Sequence, residues 1–154
     1  MFAEYNHDHF PIVFVNFSES IESENDFDEF LNEWLLLYHN GRDFSFIFDT
    51  RTMTNINIKY AIKMAMFIKE LRKQPYHYLQ KSLILVNDKK ILRLLDLVFT
   101  LQSPVAPVYL WLSENINKVI DKEYLITTLN TINRLDLKED MIYIKPNQSI
   151  IPFL

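Results

Sequence analysis

Four short runs in this chain are too apolar to lie on a protein surface, and stretches of helical periodicity separate them. Residues 11–17 are β-branched and aromatic on both faces apart from Asn16, and residues 82–86 and 108–112 are of the same kind. Residues 44–48 place Phe44, Phe46 and Phe48 on one side of a strand, with Ser45, Ile47 and then Asp49 on the other. Strands apolar on both faces belong to sheets with cover on each side. Four β-α units in succession predict an α/β fold with a mostly parallel sheet and right-handed crossovers. If neighbours in sequence are also neighbours in the sheet, those crossovers put every helix on one face. The opposite face, with Ile47, Tyr109 and Trp111, then needs a cover, and the apolar C-terminus or a second copy of the chain are the candidates.

The helices announce themselves by stripe and cap. Phe27, Phe30, Leu31, Trp34, Leu35 and Tyr38 recur at spacings of three and four, behind Ser23 or Asn25 as cap. Glu24, Asp26, Asp28 and Glu29 suit the positive end of that helix, and Gly41 can close it in the left-handed conformation. A second helix over residues 58–73 starts at Asn55 or Asn57 and stops before Pro75. Ile58, Ile62, Ala65 and Ile68 form its expected buried face, broadened by Tyr60, Met64, Phe67 and Leu71. The third, residues 89–101, is capped by Asn87 or Asp88 and is polar only along Lys89, Arg93, Asp96 and Thr100. A last helical region begins at Ser113 and breaks near residues 121–122, after which Leu125, Leu129 and Ile132 share a face. The expected organisation is a loosely docked or disordered lead-in over residues 1–9, one domain over 10–140, and an apolar tail over 141–154 that docks on it, an edge strand being one way to do so.

Composition excludes whole classes of chemistry. The chain has one glycine, so glycine-rich phosphate loops, dinucleotide fingerprints and nucleophile elbows cannot be written in it. It has no cysteine, which removes disulfides, thiol nucleophiles and thiolate metal sites. No signal peptide or run long enough to span a bilayer is visible, so the expectation is a cytoplasmic protein without a transmembrane segment. Charge is laid out as a dipole: −10 over residues 1–50, +8 over 51–93 and −2 over 94–154. Solvated helix faces of opposite sign account for it. The alternative is a basic surface of Lys59, Lys63, Arg72, Lys73, Lys89, Lys90 and Arg93 that meets an acidic protein or, peripherally, anionic lipid. Nucleic acid is not expected at a pI near 5.5 with no reader motif. His7 and His9 lack a third ligand, and Asp49 is expected to hold turn amides or pair with Arg51; no metal, cofactor or catalytic residue is assigned.

Residues 11–17 with the acidic helix after them, residues 46–51, residues 83–86 and the block 91–109 together resemble the STAS-like proteins, relatives of bacterial anti-sigma-factor antagonists that are also compared to CRAL-TRIO lipid-transfer domains. The resemblance covers roughly residues 10–120. It implies a four-unit (βα) superhelix with strands in sequential order, serving as a non-enzymatic regulatory or ligand-sensing module. The antagonists switch on a phosphorylated serine in an Asp-Ser-Ser-Gly motif at the start of the second helix. Residues 52–56 stand there in this chain without serine or glycine, which leaves Thr52 or Thr54 as the acceptor, or both as turn residues. On this reading Thr50, Arg51, Asn55, Lys59, Lys63, Arg72 and Lys73 form the surface that meets a protein partner. Leu94, Leu97, Val98, Leu101, Tyr109 and Trp111 form a face for self-association as a homodimer, or for an apolar or lipid ligand if the chain is instead a small carrier or sensor.

Overall fold

The computed structural model describes residues 1–112 and 121–146. Six strands form one sheet in the order β1-β2-β3-β4-β5-β6, the order of the chain itself. They are β1 (Ala3–Asn6), β2 (Ile12–Phe17), β3 (Phe44–Asp49), β4 (Leu79–Val86), β5 (Val108–Leu112) and β6 (Met141–Ile144). The four apolar runs are β2 to β5 and pair parallel, each joined to the next through a helix: α1 (Glu24–Leu37), α2 (Ile58–Arg72) and α3 (Lys89–Leu101). The sheet as a whole is mixed, because β1 and β6 run antiparallel to their neighbours at the two edges.

The expected lead-in is the first correction. Residues 3–6 are a strand, and Phe2 and Ala3 are buried against α1 and β2. A short turn, in which the Phe10 amide donates to the His7 carbonyl at 3.1 Å, returns the chain as β2. Only an antiparallel neighbour can be reached through so short a connection. At the far edge the start of the tail, residues 141–144, pairs with β5 as an edge strand. The remainder of the tail, with Ile150, Ile151, Phe153 and Leu154, and the start of the last helical region at Ser113 lie outside the described residues.

Alternation along each strand divides the interior. Val13, Val15, Phe44, Phe46, Phe48, Ile84, Val86, Val108 and Leu110 face α1, α2 and α3. Ile12, Phe14, Ile47, Leu83, Leu85, Tyr109 and Trp111 face the other way. A fourth helix, α4 (Lys122–Thr131), lays Leu125 and Leu129 over that second face, and Ile132 and Met141 complete the layer. Asp121 caps it by accepting from the Glu123 amide at 3.1 Å. Among the described residues, Tyr109 and Trp111 are buried in this layer with Leu125, Leu129, Ile132 and Met141. The first layer is unusually aromatic: Trp34 packs 4.8 Å from Phe46, and Phe2, Phe17 and Phe30 meet at centroid distances of 5.0–5.9 Å.

The caps resolve the choices the sequence leaves open. Ser23 accepts from the Asp26 amide at 3.2 Å, Asn57 from Lys59 at 2.9 Å, and Asp88 from Lys90 at 2.7 Å. After α1 a 3₁₀ turn (Tyr38–Asn40) ends on Gly41 at φ 62°, the left-handed value that favours glycine.

Between the helices and the sheet lies a half-open apolar cavity of about 140 Å³, lined by residues of α1, α2 and α3 and of the strands beneath them. Among the described residues no charged side chain lines it. Its hydroxyl-bearing walls are Thr50, Tyr60 and Ser82.

Candidate functional site

The loop from β3 into α2 starts rigidly. The Asp49 carboxylate accepts from the Arg51 amide at 3.1 Å and from its guanidinium at 2.9 and 2.8 Å. That grip holds the Arg51 guanidinium above its ordinary pKa. Thr50 is buried; its amide and its hydroxyl both donate to the Leu85 carbonyl, at 3.1 and 2.7 Å. Thr50 therefore pins the loop to β4 and does not belong to an interaction surface. The Thr54 amide donates to Glu19 at 3.0 Å, tying the loop to the connection that precedes α1. Thr52, Thr54 and Asn55 are exposed. Neither threonine lies in the first turn of α2, where Asn57 already occupies the capping position.

The bases expected beside this loop are engaged within the chain. Lys59 Nζ lies 3.2 Å from Glu24, and Lys63 Nζ lies 3.5 Å from Glu24 and 3.8 Å from Asp28. The Lys59 hydrogen bond is the first cause that holds the Glu24 carboxyl below the usual carboxylate range, and Lys63 adds to it. The acidic start of α1 and the basic start of α2 thus meet side by side, which explains much of the charge dipole in the sequence. Arg72 donates to the carbonyls of Ser103 and Pro104 and fastens the end of α2 to the link after α3. Lys73 pairs with Glu70 at 3.1 Å. These side chains hold elements together; they do not form one free basic face.

What α2 does present is apolar. Ile58, Ile62 and Met66 are 58%, 46% and 63% exposed, and at spacings of four they make one continuous row on the outer side of the helix. The expected buried face is corrected accordingly: α2 buries Tyr60, Ala61, Ala65, Ile68 and Leu71, and turns Ile58 and Ile62 outward. The helix is apolar almost all round, so periodicity alone cannot choose its inner side. On the inner side Ala61 and Ile68 form a small buried cluster with Val98 of α3. Lys69 of α2 and Lys89, Lys90 and Arg93 of α3 are the remaining exposed bases on these two helices.

The expected self-association face does not exist as one surface. Val98 is buried against α2, Leu94 and Leu97 are half-buried beside it, and Leu101 alone is exposed. Tyr109 and Trp111 point to the opposite side of the sheet and lie under α4. His7 and His9 are exposed and touch only Tyr5 and Phe14 as ring contacts. Among the described residues no group of three His, Cys, Asp or Glu side chains could hold a metal ion, and no helix is long and apolar enough to cross a membrane. No protein-family model, curated protein or solved structure matches the chain.

Proposed function

We propose that this chain is a non-enzymatic regulatory module of STAS-like type that acts by binding a protein through the outer side of α2 and the loop before it. The observation that carries the reading is the row Ile58, Ile62 and Met66. Single exposed apolar residues are ordinary on any surface, but a contiguous row on one helix is what a partner's apolar side chains can cover. Two features support it. The row follows directly on a loop whose base is fixed by Thr50 and Asp49, so the surface is preorganised and little ordering entropy is lost on binding. Exposed Lys69, close to the row on the same helix, favours a partner with acidic residues around its apolar contact.

The experiment places a photoreactive residue at position 66 and irradiates in the native cell, with Ile62→Asp as the comparison. Crosslinks to a discrete protein that disappear with Ile62→Asp support the reading. Crosslinking that is unchanged by Ile62→Asp, or absent altogether, removes α2 as the docking surface. Charge reversal at Lys59 or Lys63 is the poorer test, because it breaks their contacts with Glu24 and Asp28.

A further inference from the structure

We infer that the cavity behind α2 is a binding site for one small, neutral, apolar molecule of roughly benzene or toluene size. Size sets the class. At about 140 Å³ the space is well below the ~300–1,000 Å³ of sites for drug-sized ligands. Its volume is close to that of an engineered cavity of about 150 Å³, walled by aliphatic and aromatic side chains, that takes up benzene or xenon, although this one opens to the surface. A bilayer lipid does not fit, so the cavity argues against the lipid-carrier expectation while giving a different ligand a place.

Chemistry sets the polarity. A water molecule needs two to four polar partners to stay in such a space. Here the Thr50 hydroxyl is committed to the Leu85 carbonyl, and the strand carbonyls and amides behind the cavity serve the β3-β4-β5 ladders. Most of the remaining wall is of the type of Ala61, Ile84, Ile91 and Val98, with the Tyr60 and Ser82 hydroxyls as further polar groups, so it offers chiefly dispersion contacts and no charged partner. A charged ligand would leave its charge unpaired there. Position sets the way in. Ile21, Met53 and Ile56 line the cavity, are half-buried, and lie on the two loops joined by the Thr54–Glu19 hydrogen bond. Methionine adapts its shape readily, which suits a residue that must move aside.

Toluene is the probe. Methyl resonances of the full chain are followed by NMR as toluene is added, in the wild type, in Ala61→Leu and in Ala106→Val, the latter two adding carbon to the cavity wall. The expected result is saturable shifts confined to Ile84, Ile91 and Val98, with affinity reduced at least tenfold in each folded variant. The inference is overturned if shifts in the wild type rise linearly without saturating, or centre on the outer residues Ile58 and Ile62. It is equally overturned if a folded variant binds toluene as the wild type does. Two variants on different elements, α2 and the link before β5, keep the result decisive should one of them fail to fold.

Discussion

Replacing Ala61 with leucine should stabilise this protein, although most large substitutions in a protein core do the reverse. Ala61 is buried on α2 and forms part of the wall of the cavity. An unfilled apolar space carries a cost of about 24 cal/mol per Å³, so about 140 Å³ sets a ceiling of about 3.4 kcal/mol on what filling it can return. Leucine adds three carbons, each worth about 0.8 kcal/mol when moved from water into a dry interior, or ~2.4 kcal/mol together. Fixing its rotamer costs about 0.5–1 kcal/mol, and alanine's advantage in a helix takes a few tenths more. The expected net gain is about 1 kcal/mol, read as an increase in urea midpoint at unchanged m-value and a rise in Tm of about 2–4 °C. Destabilisation by 1–3 kcal/mol, the usual outcome of overpacking, would show that the neighbours of Ala61 leave no room and would refute the reasoning.

Two further outcomes test other parts of the structure. Leu129→Ala empties a fully buried position on α4 and should cost about 2–5 kcal/mol; by loosening the cover over Tyr109 and Trp111 it should also bring concentration-dependent sedimentation, which the wild type lacks if α4 buries that face. Burial, and to a smaller extent the charge of Glu33, pushes the Tyr5 hydroxyl well above its ordinary pKa while it donates to the Phe30 carbonyl at 2.7 Å. A raised folded pKa gives stability that is complete below pH 10 and lost as pH climbs beyond it, so unfolding free energy should fall above pH 10, and Tyr5→Phe should make that fall shallower.

The parallel centre of the sheet is legible because each of its strands is apolar in two directions, a pattern that few other structures tolerate. The edges are not. Residues 3–6 include an exposed Glu4 and only half-buried Tyr5 and Asn6, since an edge strand with one covered side gives too short and too mixed a signal. The cap choices illustrate the same limit at smaller scale: Asn55 and Asn57 are equally good on paper, and the placement of the loop by Thr50 and Thr54 decides for Asn57. For α2 the sequence contains the right residues, but the direction of the helix about its own axis is set by what α3 and the sheet offer it. Hydrophobicity alone therefore points Ile58 and Ile62 inward, and geometry turns them outward. The charge dipole was visible in full; that Glu24 and Asp28 meet Lys59 and Lys63 depends on α1 and α2 lying side by side, which strand order dictates. Tyr109 and Trp111 needed a cover, as their alternation with Val108 and Leu110 demands, and α4 supplies it within the same chain.

A sheet whose spatial order repeats the chain's order also has a direction in time. Every strand pairs with the one made just before it, so each closure joins ends separated by one turn or one connecting segment. Short closures cost less entropy and come sooner than distant ones. Phe2, Phe17, Phe27, Phe30, Trp34, Phe46 and Phe48 already pack on one another within residues 2–48, and Tyr60 and Phe67 of α2 add to that cluster afterwards in chain order. The chain's two tryptophans stand at opposite ends of that progression, Trp34 within the early cluster and Trp111 on β5 beneath α4. Their separate emissions form a clock with two hands, the first set by assembly of the amino-terminal third and the second by closure of the last layer.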